Sequence, residues 1–162
     1  MKTHVNGGGQ VADTATVSED SYVGPDCKIL DSAVLQNGAI VANGSVVSGN
    51  AIVENAEVTD GVVVGGVTHL RYCNVHGHVT LLKTPIVLRG FEQEIVIADD
   101  FIIIGCQTIS MEDWYTRSVA LLRANGYPKA SAERLRDSID VIHACYQSIY
   151  HEDDLKKAFQ IG

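Results

Sequence analysis

In the segment Cys73-Asn74-Val75-His76-Gly77-His78, two histidines are the side chains of this sequence best placed to do chemistry. An imidazole titrates near neutral pH and can take a proton from an amine or hydroxyl, so His76 and His78 are candidate catalytic bases. In an extended segment alternate side chains share a face, and the spacing of two predicts that both rings do so. The same stretch offers a metal set of Cys73, His76 and His78, with His69 as a further member. These ligand types suit zinc, but their spacing matches no established zinc pattern, and no metal is expected. Arg71 and Arg89 flank apolar runs where a guanidinium can hold a phosphate or carboxylate. Arg71, Arg89, His76 and His78 are therefore the candidate ligand-binding residues.

The other reactive groups read as structural. His4 stands at the start of the chain, and His143 and His151 lie on or after a helix as expected surface residues. Cys106, in Ile104-Gly105-Cys106-Gln107, has no neighbouring histidine and reads as a small buried residue. The four cysteines are widely spaced with no Cys-x-x-Cys pair, which predicts reduced thiols. Gly7-Gly8-Gly9 lacks the Lys-Ser/Thr end of a phosphate loop and reads as a turn.

Positioning these groups falls to a repeat. Every sixth residue from Val5 is aliphatic: Val5, Val11, Val17, Val23, Ile29, Leu35, Val41, Val47 and Val53. Two residues before each stands a small one, from Thr3 and Gly9 to Ser45 and Ala51. Short strands that turn the aliphatic inward would stack like side chains at the roughly 4.8 Å spacing of neighbouring strands. The small residue then fits a crowded corner, and Asn37-Gly38, Asn43-Gly44 and Gly49-Asn50 supply the positive-φ turns. Three hexapeptides make one triangular coil, so the pattern predicts about three coils.

This pattern resembles the hexapeptide-repeat family, which implies a left-handed parallel β-helix, an exception to the usual crossover hand. The period of six breaks after Val53, where Ala56-Glu57-Val58 and Gly61-Val62-Val63 recur at a spacing of five and Gly65-Gly66 follows. The coil is therefore expected to end near residue 58. The residues just before the last aliphatics, Val34, Ile40, Val46 and Ile52, point outward and are all apolar. They predict an oligomer or cap interface, since so broad an apolar belt needs a cover. Trp114 joins them as a candidate.

Beyond the repeat, strands are expected at Ile86 to Gly90, Ile95 to Ile97 and Phe101 to Ile104, forming a plug over the open coil end. Ser110 with Asp113 resembles a capping box that opens a helix stopped at Asn125-Gly126. A second helix starts near Ser131 with Leu135, Ile139, Ile142, Tyr146 and Ile149 on one stripe, and a short third covers about 154 to 160. The expected fold class is mainly β with an α C-terminus: a short left-handed parallel β-helix, then a small β segment and two or three helices. The expected divisions are 1–66 for the β-helix, 67–109 for a β-rich cap and 110–162 for the helical region.

Net charge is −8. Residues 1–70 hold two bases and eight acids (−6), against ten bases and twelve acids (−2) in residues 71–162. Duplex nucleic acid needs clustered Lys and Arg, so it is not an expected partner. No apolar run approaches the ~18 residues of a membrane span, and Met1 to Gly7 contain no signal-peptide stretch, which predicts a cytoplasmic protein.

The hexapeptide family implies two further things: a homotrimer, and acyl-CoA bound between coils with a histidine as base. In this chain only His76 or His78 would serve, and the loop insertion that usually carries that histidine is missing. Leu88-Arg89-Gly90, Ile104-Gly105-Cys106-Gln107 and Glu112-Asp113-Trp114 resemble a tail found in phage and bacterial proteins labelled as acyltransferases, a label that rests on fold. The leading expectation is a non-catalytic homo-oligomer holding a small anionic, nucleotide-derived ligand in inter-subunit clefts, with no cofactor. In a phage this would be a counter-defence sponge in the host cytoplasm. An acyl-CoA-dependent transferase and a structural or protein-binding trimer are the alternatives.

Overall fold

Short strands close into a triangular coil only where the chain turns sharply between them, and it is at the corners that this sequence changes its spacing. The computed structural model describes residues 1–159, with side chains through residue 150. After β1 (Lys2–Thr3), the chain winds into a parallel β-helix of four coils and one further strand. The first face stacks β2 (Gln10–Val11), β5 (Lys28–Ile29), β8 (Val46–Val47), β11 (Val63–Val64) and β14 (Thr80–Leu81). A second face holds β3 (Thr16–Val17), β6 (Val34–Gln36), β9 (Ile52–Glu54) and β12 (His69–Arg71). On the third lie β4 (Tyr22–Val23), β7 (Ile40–Val41), β10 (Glu57–Val58) and β13 (Asn74–Val75).

The coil does not end near residue 58, and a boundary at 66 falls inside the helix. Gln10 pairs with Lys28 and Lys28 with Val46, eighteen residues apart, whereas Val46 pairs with Val63 and Val63 with Thr80, seventeen apart. One corner explains the change. Between β6 and β7 the turn spends two positive-φ residues, Asn37 (φ 56) and Gly38 (φ 70). One coil later the same turn is Asn55 alone (φ 44), and in the next it is Tyr72 alone (φ 52). A spacing of five therefore marks a shortened corner, and the inward register survives it. Val58, Val64, Leu70 and Val75 are as fully buried as Val41 and Val47. Val63, which the five-residue spacing turns inward, in fact points out and is 36% exposed.

The repeat also starts later than its spacing suggests. Val5 is 86% exposed, because Gly7 (φ 108) and Gly8 (φ 81) reverse the chain. As a result β1 lies antiparallel on β2, pairing Lys2 with Val11. The glycine run is an ordered reversal, as expected of a turn, and Gly9 N–H donates to Val23 O at 2.9 Å.

An antiparallel sheet closes the far end: β15 (Ile86–Leu88), β16 (Ile95–Ile97), β17 (Phe101–Ile104) and β18 (Gln107–Ser110). Its central strands are apolar without alternation because both of their faces are buried. Val87, Val96, Phe101 and Ile103 join the β-helix core, and Ile86, Leu88, Ile95, Ile97, Ile102, Ile104 and Ile109 join a second core under the helices. The plug also satisfies the helix's free backbone, since Asn74 N–H donates to Glu94 Oε1 (3.1 Å) and His69 N–H to Thr84 Oγ1 (2.9 Å).

Helix α1 (Met111–Ala124) opens as its capping signal predicts, with Asp113 N–H donating to Ser110 Oγ at 3.1 Å. It stops at Asn125, followed by Gly126 (φ 93). Helix α2 (Lys129–Phe159) then runs unbroken, so the expected short third helix is its last turns up to Phe159, and residue 160 lies outside the described residues. Ala132, Leu135, Ile139 and Tyr146 face the core, whereas Ile149 is 60% exposed. None of the described helices is long and apolar enough to cross a membrane.

Candidate ligand-binding site

One coil of eighteen residues and one of seventeen put Gln36, Glu54 and Arg71 side by side on the second face. Glu54 is enclosed there (8% exposed) and every donor around it converges on its carboxylate. Arg71 gives Nε and Nη2 to Oε2 at 2.8 and 2.7 Å, Asn37 Nδ2 donates to Oε1 at 2.9 Å, and His69 Nε2 lies 3.4 Å from Oε2. The Arg71 guanidinium holds the Glu54 carboxyl below its ordinary range, with Asn37 and His69 assisting and burial opposing. A group depressed in this way contributes stability at neutral pH and loses that contribution as pH falls through the folded pKa. Arg71 itself is 57% exposed at its side chain, and its second terminal amino group carries no bond among the described residues.

The four predicted ligand residues do not converge. Arg89 belongs to the plug, where its Nε donates to Glu94 Oε2 at 3.1 Å, with 51% of the side chain exposed. His76 is pinned in the joint between β-helix and plug. Its Nε2 lies 3.1 Å from Gly105 O, which can only accept, and its Nδ1 lies 3.1 Å from the Thr108 hydroxyl oxygen. That hydroxyl donates its hydrogen to His76 O at 2.7 Å. Both ring nitrogens are thus occupied by plug groups, and His76 serves as a pin of the joint.

His78 does not share a face with His76. Gly77 (φ 92) and His78 (φ 54) form a corner, so the extended geometry behind that expectation is replaced by a turn, and the His78 ring lies over Gly61. Its side chain is exposed, and no described group lies within hydrogen-bond reach to orient it as a base. Nor do Cys73, His76 and His78 gather: among the described residues no three His, Cys, Asp or Glu side chains could hold a metal ion.

Cys73 is buried, and burial followed by the Glu94 charge pushes its thiol up to about 11. Cys27 is also buried, whereas Cys145 and Cys106 are exposed; for Cys106 the exposed Gly105 turn overrides the expectation of burial. Two thiols of the native protein are therefore expected to react promptly with a chromogenic disulfide at pH 8, and the other two only after denaturation. Four prompt thiols would contradict the enclosed Cys27 and Cys73.

Of the interface candidates, Ile40 is 38% exposed, and Val34, Val46 and Ile52 are half-buried on the faces of the β-helix. Trp114 is different. It is fully buried in the core under the helices, with Nε1 donating to Asp140 Oδ1 at 2.7 Å, because its side of α1 packs on the plug. His143, expected at the surface, is 2% exposed, and its ring is held by Asp99 O and the Tyr115 hydroxyl. Glu54, Asn37 and Thr108 escape the sequence reading. A register of seventeen would have set Glu54 beside Arg71, but no local signal marks Thr108.

Compared with models of known protein families, with curated proteins and with solved structures, the chain matches none.

Proposed function

We propose that this chain is a non-catalytic binding protein that assembles with copies of itself through the flanks of its β-helix and holds a small anionic ligand at Arg71. One observation carries the ligand part. The guanidinium is anchored on an enclosed carboxylate and keeps its outer amino group toward solvent, which orients it without consuming it. A transferase reading draws no comparable support, since His76 is spent in the joint and His78 has no orienting partner. Support for assembly comes from the first face. Val46 and Val63 stack in register there, and Leu82, 59% exposed, lies over Gly65. Flat strands carrying such aliphatics suit a second copy of the same chain.

The ligand part is tested by thermal unfolding in the presence of citrate, inorganic phosphate, nucleoside monophosphates and acetyl-CoA. An anion at about a hundred times its Kd adds ~2.7 kcal/mol, a rise of several degrees for a chain this long. For citrate, which is not a phosphate ester, that rise is expected to vanish in Arg71→Ala. A rise confined to acetyl-CoA and lost in His78→Ala would replace the proposal with a transferase.

A further inference from the structure

Helix α1 breaks in its middle although it contains neither proline nor glycine. Arg117 has φ −146 and ψ 24, which are not helical values. One residue earlier, the Thr116 hydroxyl lies 3.0 Å from Glu112 O and 3.2 Å from Asp113 O, back-bonding of the kind that bends helices. Beside the break a cleft of about 690 Å³ opens between α1 and α2. That is within the roughly 300–1,000 Å³ of small-molecule sites.

The walls are polar in a particular arrangement. Ser118 is 6% exposed and lines the cleft, yet its hydroxyl has no partner among the described residues. That oxygen is open to the space of the cleft, where it can donate to a ligand. The Tyr115 hydroxyl lies 3.2 Å from His143 Nδ1. Because His143 Nε2 must donate to Asp99 O (3.0 Å), Nδ1 accepts and Tyr115 is the donor, which leaves the phenol oxygen free to accept.

Arg117 and Arg136 also line the cleft. Their carboxylate partners are Asp113 at 3.0 Å and Asp137 at 2.7 Å, in exposed pairs of neighbouring residues. Such pairs are worth only ~0–1 kcal/mol, so an incoming dianion can draw both guanidiniums to itself. Asp140 accepts from Trp114 Nε1 at Oδ1 and retains Oδ2 as an acceptor, and Asp137 supplies a second carboxylate in the cleft lining.

We infer that this cleft binds a phosphate ester of a polyhydroxylated molecule, of the size of a sugar phosphate. Arg117, Arg136 and Ser118 take the phosphate, while Asp137, Asp140 and the Tyr115 oxygen accept from its hydroxyl groups. The site lies within one protomer and is separate from Arg71, so it depends neither on assembly nor on the ligand proposed above.

Trp114 lines the cleft and is the only tryptophan of the chain, so its fluorescence reads the site directly. The full chain is titrated with ribose 5-phosphate, inorganic phosphate and ribose. Ribose 5-phosphate is expected to give a saturable change and to bind at least about tenfold more tightly than inorganic phosphate, with no response to ribose alone. The double variant Arg117→Ala, Arg136→Ala is expected to lose about tenfold or more at an unchanged melting temperature, and Arg71→Ala to bind as the parent does. No saturable change up to about 10 mM, or equal binding by the double variant, would overturn the site. Equal affinity for inorganic phosphate would overturn the hydroxyl contacts.

Discussion

Leu70→Asp is expected to abolish cooperative folding. Leu70 is fully enclosed on β12, stacked in register on Val53 of the preceding coil. Truncation to alanine there should cost ~2–5 kcal/mol from lost contact and the cavity left behind. An ionised carboxylate adds a desolvation cost of several kcal/mol with no partner in an aliphatic column. Against the ~5–15 kcal/mol that holds a typical domain together, little folded protein remains. Val67→Asp, three residues earlier and 72% exposed, should move stability by no more than about 0.5 kcal/mol. Urea unfolding followed by circular dichroism separates the two. If residues 67 to 81 were a surface loop, both substitutions would be silent.

Trp114→Ala carries the second large effect. The side chain is fully buried, so truncation should cost ~3–5 kcal/mol, and it also leaves the Asp140 carboxylate without its indole donor. Trp114→Phe keeps most of the ring volume and removes the hydrogen bond, so about 1–2 kcal/mol is expected. The loss should be local. The plug's two faces feed different cores, and Trp114 belongs only to the one beneath the helices. The alanine variant is therefore expected to melt in two steps, the helical signal disappearing before the β signal. One transition displaced by less than about 1 kcal/mol would contradict a core role.

How much of this was legible depends on how far along the chain each partner lies. From Val11 to Val53 the aliphatic column can be read directly, because three equal hexapeptides make each coil and every inward residue declares itself. Past Val53 one corner sheds a residue at Asn55 and again at Tyr72, and a strict period mistakes a tighter turn for the end of the coil. Burial, and not spacing, then identifies Val64, Leu70 and Val75. In the plug, the unbroken apolar run Phe101 to Ile104 already signals a strand covered on both sides. What covers it is set by α1 and α2, which no local pattern relates to the end of a β-helix. His76 was legible as a histidine near a turn and illegible as a pin, since its partners Thr108 and Gly105 lie about thirty residues on. Val63, Val67 and Leu82, the exposed aliphatics of the last coils, follow from the longer helix and were hidden with it.

Assembly through the β-helix flank is the premise on which the functional reading rests, and solution mass by light scattering across micromolar concentrations measures it most directly. The parent chain is expected at two or more times 17.4 kDa. Val63→Glu with Leu82→Glu should give one copy that still unfolds cooperatively, at a melting temperature lowered only by the loss of association, since both side chains point outward. A parent protein that stays at 17.4 kDa throughout would contradict it.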